Sequence, residues 1–326
     1  MTLPYFIRLI GLCGASFFLV HAVLGIALRL AANSILRFAN TMKPRDAARF
    51  LMLLRFLPFV GTTVVVLGIC LPSYLWLEPG ASEENVGAAF IAFAVCGASI
   101  LLNSLLRSAR ALAASRKFGI WCRETRIKSE LSATNLPVDI LDSEAPVIFL
   151  AGVFRPRLAL STGVLRTLSP EQRKSVFRHE EAHRASRDNF KRLLLLLTPE
   201  ILPFSRSFRL MDEAWAQFSE WAADDDATGN DPGHSLSLAE SLVRVARMSA
   251  GPRPLPLFTS FIPPDHDLSV RVNRLLGPRS FESKSWRRVR AILGAAACAL
   301  IALITVLLVQ PSALQSVHEL LEHLTH

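Results

Sequence analysis

Long apolar stretches alternate with polar segments along this chain of 326 residues. A helix needs about 20 mostly apolar residues to cross the roughly 30 Å hydrocarbon core of a bilayer, and four stretches reach that length. The first is too long for a secretory signal and shows no convincing small-residue cleavage site, so we interpret it as a retained span. The four predicted transmembrane helices cover residues 7–28, 56–76, 86–106 and 289–309.

The polar segment between the third and fourth predicted spans is long enough to bury a core of its own. It begins as a basic helix and continues with two short apolar runs around Gly152 and Pro156, which predict a β-hairpin. Helical periodicity follows, so the sequence predicts an α+β domain. The predicted helices cover residues 170–197, 211–228, 235–249 and 267–276.

The distribution of charge orients the predicted spans. The chain has 36 Lys and Arg against 27 Asp and Glu, and basic residues cluster after the first span, after the third and before the fourth. The loop between the second and third spans carries Glu78, Glu83 and Glu84 and no Lys or Arg. By the positive-inside rule we expect a multi-pass protein of a bacterial-type inner (plasma) membrane, with the large loop in the cytoplasm and both termini outside.

The excess positive charge lies mainly beside the predicted spans, so we expect no direct binding of nucleic acid. The fold class predicted from these patterns is an α-helical membrane protein with four spans and an α+β cytoplasmic domain. The predicted parts are three spans with short loops at 1–107, the cytoplasmic domain at 108–288, the fourth span at 289–309 and a short extracytoplasmic tail at 310–326.

The first of the predicted domain helices carries the motif HExxH, from His179 to His183. Each residue of an α-helix turns about 100°, so both histidines lie on one face, where they can bind one metal ion. Glu180 lies to the side, within reach of a water at that ion, and Glu181 points away. Ser169, followed by a proline, predicts the start of this helix. The motif alone also fits a charged, solvated helix face whose histidines have no role.

A second motif, ExxxD, follows at Glu220 and Asp224. Zinc held by two helical histidines needs a further protein ligand, and Glu220 can provide it from a second helix. Asp224 lies one turn later on the same face, where it can orient a ligand histidine. Together the two motifs predict a single-zinc peptidase site with one Zn²⁺ per chain. The five cysteines form no CxxC pair, so no cysteine zinc site is expected.

The stretch from Val147 to about Ala227 resembles the integral-membrane gluzincins, and among them the antirepressor-type metallopeptidase domain of β-lactam-sensing receptors. The likeness rests on Gly152–Arg157, Ser161–Leu165, Leu168–Glu171 and the HEEAH motif, which continues to Arg187-Asp188-Asn189. The arrangement of spans is also similar. The receptors carry a large extracellular sensor after the last span, whereas about 17 residues follow it here, so we do not expect a β-lactam-sensing role.

The resemblance implies a zincin-like cytoplasmic domain. It implies His179, His183 and Glu220 as the metal ligands and Glu180 as the catalytic base. The heat-shock and CAAX-type membrane zinc proteases are more distantly similar. These proteins tend to have an arginine-containing helix downstream, which makes Arg271 a further candidate site residue.

These observations predict a membrane-embedded zinc endopeptidase that cleaves a cytoplasmic or membrane-proximal protein. Zinc, when bound, activates water, and Glu180 would accept the proton. The expected partners are a protein or peptide substrate and the lipid bilayer. The substrate is expected to be a transcriptional repressor or the enzyme itself, which would make the cleavage a signalling step. The alternatives are a quality-control protease for membrane proteins and a non-catalytic signalling protein with a structural zinc site.

Overall fold

The computed structural model describes residues 4–77, 86–127, 136–200, 206–248, 259–260 and 268–277, with isolated positions from 291 onward. Its fold is mostly helical with a small α/β domain. Three helical stretches in the described part of the chain are long and apolar enough to cross a membrane, and they coincide with the first three predicted spans. Most of the fourth predicted span lies outside the described residues.

The helices are α1 (Tyr5–Ala39), α2 (Pro44–Val65), α3 (Leu71–Leu77), α4 (Ala88–Thr125), α5 (Thr162–Thr167), α6 (Pro170–Ser186), α7 (Asp188–Leu197), α8 (Arg206–Thr228), α9 (Pro232–Arg247) and α10 (Leu268–Leu276). The strands are β1 (Arg126–Ile127), β2 (Val138–Leu141), β3 (Ile148–Ala151), β4 (Arg157–Ser161) and β5 (Thr259–Ser260).

Helices α1 and α4 are longer than a bilayer is thick. At 1.5 Å per residue, α1 is about 52 Å long and α4 about 57 Å, against a hydrocarbon core of about 30 Å. Both therefore extend well beyond a single membrane crossing. Helix α2 continues through a π-helical turn, Val66–Cys70, into α3. Helix α4 passes residue 107 without interruption, and the domain limits placed there stay a prediction.

Helices α1 and α4 touch through their backbones. A methyl group added at Gly97 would collide with the carbonyl oxygen of Gly14. Small residues at such a crossing allow the close approach by which membrane helices commonly associate. A larger side chain at either position would separate the two helices.

The five strands form one sheet in the order β1-β2-β4-β3-β5. The predicted hairpin is confirmed, because β3 and β4 pair antiparallel with Leu150 opposite Leu158. Strand β4 also pairs in parallel with β2, so the strand that precedes the HExxH helix is internal. The remaining side of β3 pairs with β5, where Thr259 lies opposite Leu150. This chain itself therefore places an extended segment on the outer side of β3.

The helix predicted at 170–197 is instead two helices, so the prediction of one continuous element is wrong. Ser169 caps α6, and its side chain and that of Gln172 form a capping box. The helix ends at Arg187, which adopts a left-handed conformation with φ of 55°, and α7 then leaves in a new direction. A non-glycine residue with positive φ is uncommon. The turn at Arg187 brings the first residues of α7 back toward the HExxH motif.

Helix α8 joins the membrane-capable helices to the small α/β domain. Its first half packs on the helices that form the predicted spans, and its second half lies beside α6. The cluster at the junction consists of Leu28, Ala32, Ala39, Met42, Ala47, Ala48, Phe50, Leu51, Leu195, Met211, Trp215 and Phe218. A second cluster, formed by the sheet with α5, α6, α8, α9 and α10, is the core of the domain.

Candidate metal centre

Two histidines of α6 face each other one turn apart, as the spacing of the motif predicts. The Nε2 atoms of His179 and His183 are 3.1 Å apart, and both side chains are buried. Apolar Val176 and Phe177 anchor the preceding turn in the domain core. The packing of that turn therefore sets the rotation of α6 and with it the direction of both imidazoles.

Glu220 approaches this pair from α8. Its Oε2 lies 3.5 Å from Nε2 of His179, and its Oε1 lies 3.5 Å from Nε2 of His183. The three side chains offer one atom each within 4.8 Å of the others. Two imidazoles and a carboxylate are a common protein ligand set for catalytic zinc, with one position left for water or substrate.

A carboxylate contacts Nδ1 of each histidine, the ring nitrogen that does not face the metal centre. Nδ1 of His183 donates to Oδ2 of Asp188 at 2.7 Å, and Nδ1 of His179 lies 3.0 Å from Oδ1 of Asp224. With the proton on Nδ1, each Nε2 presents a lone pair. Two lone pairs that face each other at 3.1 Å repel unless a cation lies between them, so the geometry of these residues fits a metal ion. Asp224 thus lies where the sequence predicts it.

Sequence reasoning missed Asp188 as a site residue. It follows the left-handed Arg187 and is buried. Ser219 Oγ donates to Oδ2 of Asp188 and Lys191 Nζ to Oδ1, both at 2.8 Å. The available signal was an aspartate five residues after the second motif histidine, but only the break in the helix turns that residue toward His183.

Arg271 of α10 reaches the same centre, although it lies far along the chain. It is fully buried. Its Nε and Nη2 donate to the carboxylate of Asp224 at 3.0 and 2.6 Å, and its Nη1 is 3.2 Å from Oε2 of Glu220. Burial alone would raise the pKa of Asp224, but the charge of Arg271 and the hydrogen bond with His179 outweigh it, so this pKa is about 2.

Glu180 is the exception in this network. It is fully buried, and neither carboxylate oxygen has a hydrogen-bond partner among the residues that the structure describes. Burial raises the pKa of Glu180, and the charges of His179 and His183 offset only part of that rise. A buried carboxyl group without partners is costly, so this position is suited to a group that exchanges protons with a small molecule in the site. Glu181 lies on the partly exposed side of α6.

A second arginine approaches Glu220 from the other side. Nη2 of Arg192 lies 4.0 Å from Oε1 of Glu220. The guanidinium of Arg192 lies over the ring of Trp215, 5.5 Å from its centroid. Each carboxylate oxygen of Glu220 is thus approached by one histidine and one arginine. No local motif marks Arg192, which α7 positions.

Comparison with protein families gives a match over the part of the chain that contains the metal centre. The sequence model of Peptidase family M48 matches residues 123–245, a segment that contains both predicted motifs and ends before Arg271. No curated protein matches the chain. Over these residues the chain is similar to a family of typically zinc-dependent peptidases, and this similarity, the cluster of His179, His183 and Glu220 and the three membrane-capable helices indicate a membrane-associated metalloprotease.

Proposed function

We propose that this protein is a zinc-dependent endopeptidase of the membrane, with His179, His183 and Glu220 as metal ligands and Glu180 as catalytic base. One observation carries the proposal. Three ligand atoms converge at a centre beside a buried carboxylate that has no partner among the described residues. A purely structural zinc site would normally have four protein ligands and would not need Glu180. For that reason we prefer catalysis to a structural role.

Each residue of the centre has its own role in the proposed reaction. Zinc, when bound, supplies Lewis acidity and lowers the pKa of a water molecule. Glu180 takes a proton from the attacking water and passes it to the leaving amine. Asp188 and Asp224 keep the imidazoles in the tautomer in which Nε2 is unprotonated. Arg271 fixes Asp224 and one oxygen of Glu220, so the ligands are held before substrate arrives.

The activity is tested with purified protein in detergent. We expect cleavage of an unstructured protein such as casein, loss of cleavage after a chelator removes zinc, and recovery when one equivalent of Zn²⁺ is restored. Glu180→Gln is the control for a contaminating protease, because it passes through the same purification. Equal cleavage by the parent and Glu180→Gln would refute the proposal.

A membrane-proximal substrate is supported by where the site lies along α4. Val153, near the site, packs with Ala111 of α4 and with Leu193. Ala111 is five residues, or about 8 Å, beyond the end of the third predicted span at residue 106. The chain of a protein anchored in the bilayer or held at its surface would therefore lie at the same distance from the membrane as the metal centre.

The substrate within this class is proposed to be a cytoplasmic regulator or the enzyme itself. Self-cleavage is supported by β5, since this chain's own Thr259–Ser260 pairs with β3, and Leu150 of β3 lines the same cleft as His183. Turnover of membrane proteins is the alternative. New protein N-termini, compared in cells with the parent and with Glu180→Gln, separate these cases. One or two regulator fragments, or fragments of the protein itself, support signalling; many membrane-protein fragments support quality control.

The orientation is also proposed, with the metal domain in the cytoplasm. The support is the charge asymmetry, because the acidic loop between the second and third spans lacks Lys and Arg. A cysteine at Ser82, in a background without native cysteines, should react with an impermeant reagent on intact cells. A cysteine at Ser186 should react only after the membrane is opened, and its labelling on intact cells would reverse the orientation.

A further inference from the structure

A cleft next to the metal centre is not accounted for by the metal chemistry. Its volume is about 430 Å³. His183 and Asp188 form one wall, and the turn between β3 and β4 forms the other, with Val153, Phe154 and Pro156. Because His183 borders both spaces, the cleft adjoins the metal centre.

The β3–β4 turn gives the cleft an apolar wall. The side chain of Phe154 is 66% exposed, and its ring lies 6.0 Å from that of Phe190, tilted by 52°. Phe190 and Leu150 also line the cleft. Exposed aromatic surface beside a few polar groups is typical of a binding pocket, and two tilted rings leave room for a third aromatic group in the favoured edge-to-face or offset geometry.

Hydrogen bonds connect the two walls of the cleft. Asn189, at the start of α7, donates from Nδ2 to the carbonyl oxygens of Leu150 at 2.9 Å and of Gly152 at 2.8 Å. Gly152 has a φ of 98°, a conformation that suits glycine, and the chain turns there into the apolar wall. The cleft is therefore formed before a ligand arrives, which lowers the entropic cost of binding.

The rim of the cleft is basic. Arg184 and Arg187 line it and are exposed. The one acidic lining residue, Asp188, is engaged by His183, Ser219 and Lys191. An incoming carboxylate would therefore meet positive charge at the entrance and no competing free acid.

We propose that this cleft binds a substrate side chain close to the scissile bond, and that it selects a large aromatic residue with an acidic residue beside it. The inference rests on the proposed peptidase function and specifies its substrate class. Phe154 and Phe190 hold the aromatic ring, and Arg187 pairs with the acidic neighbour. An aromatic ring in such a pocket is worth at least ~10-fold in kcat/KM over alanine.

The test uses fluorogenic peptides in which one position near the cleavage site is Phe or Ala and the adjacent position is Glu or Gln. The parent should prefer Phe by ~10-fold or more and Glu by a few-fold. Phe154→Ala should lower the ratio of kcat/KM for the Phe peptide to kcat/KM for the Ala peptide to about 1, because the ring that contacts the substrate side chain is removed. Arg187→Asn, which tolerates the left-handed backbone, should abolish only the Glu preference. Leu236→Ala, at a half-exposed position of α9, is the matched control and should change neither ratio.

The outcomes separate the cleft from the peptidase function. If the parent cleaves the peptides and Phe154→Ala keeps the Phe preference, the cleft assignment is wrong and the peptidase function stands. An equal loss on both peptides would leave the Phe preference unchanged and would also overturn the proposal. If the parent cleaves nothing, the peptidase function fails.

In that last case the cleft is still tested by fluorescence anisotropy with the labelled peptides and Zn²⁺-loaded protein. Tighter binding of the Phe peptide, lost in Phe154→Ala, supports the cleft. Equal binding of the Phe and Ala peptides overturns it.

Discussion

Two clusters of charged residues lie near opposite ends of α8, and they differ in how their acids are satisfied. The metal centre lies at the second half of the helix. The other cluster, which we term the clasp, consists of Arg55, Arg107, Glu200 and Asp212. Arg55 is 3% exposed and donates from Nε to Asp212 at 3.1 Å and from Nη2 to Glu200. Arg107 Nη1 donates to the other oxygen of Glu200 at 3.3 Å.

The clasp, together with His21, connects all three membrane-capable helices to the segment that follows α7. His21 of α1 donates from Nε2 to the carbonyl oxygen of Pro199 at 3.1 Å. Arg107 of α4 donates from Nη2 to the carbonyl oxygen of Thr198 at 3.2 Å, and Arg55 of α2 binds Glu200. Three helices thus fix three consecutive residues, and α7 leads from them back to the metal centre.

The comparison separates a structural network from a chemical one. In the clasp, both acids accept hydrogen bonds from arginines, so the charges are balanced within the protein. At the metal centre, three ligand atoms converge, one each from His179, His183 and Glu220, and Glu180 has no partner among the described residues. Buried polar groups normally find partners, so the metal centre is the cluster whose donor atoms fit a bound metal ion.

The largest expected effect is on the cleavage rate, in a variant that keeps the metal ligands. Glu180→Gln should lower the cleavage rate ~10²–10⁴-fold, since it removes the proton acceptor, and should keep one zinc per chain, since it removes no ligand. Zinc content by mass spectrometry and the casein assay check both parts. Glu181→Gln, one position along α6 on the partly exposed side, is the control and should remain active. Loss of zinc in Glu180→Gln would contradict the assignment of roles.

The second largest effect is expected on stability, when a substitution disrupts the clasp. Arg55→Ala leaves Glu200 and Asp212 without their shared partner, and removing one member of a buried ion pair typically costs about 3–5 kcal/mol. Because Asp212 is partly solvated, we expect the lower end of that range. Tryptophan fluorescence during thermal unfolding in detergent would measure the loss. An unchanged melting temperature with lost activity would show that the clasp acts on catalysis and not on stability.

The carboxylates behind the histidines should have a smaller effect. Asp188→Asn and Asp224→Asn should each weaken zinc binding ~10–100-fold, because an amide holds the imidazole less firmly in its tautomer. Competition with a chelator of known affinity gives the two constants. Ser186→Ala, close to Asp188 along the chain, is the control. If Asp188→Asn bound zinc as tightly as the parent, the 2.7 Å hydrogen bond between His183 and Asp188 would not contribute to metal affinity.

The smallest effect is expected at a second ion pair between α2 and α8. Arg45 lies 3.8 Å from Asp226, and both side chains are about half exposed. Water screens such a pair, so Arg45→Ala should change the free energy of unfolding by about 0.2–1 kcal/mol. It joins the same two helices as Arg55 and Asp212, which makes it the matched control for burial. A loss as large as that of Arg55→Ala would mean that contact between α2 and α8, and not burial of charge, sets the stability.

The sequence by itself determined what depends on local periodicity. The spacing of HExxH and ExxxD placed each pair on one helix face, Ser169 fixed the start of α6, and apolar length revealed the first three membrane-capable helices. Those features follow from 3.6 residues per turn and from the thickness of a bilayer, so neighbouring residues suffice to read them.

Only the tertiary structure decided which distant groups meet. The left-handed Arg187 turned Asp188 toward His183, α10 carried Arg271 to Asp224, and β5 came to lie against β3. The clasp and the cleft also arise from contacts between residues far apart in the chain. Such contacts depend on how the helices and the sheet share one buried core, and no local pattern specifies which partners that packing will bring together.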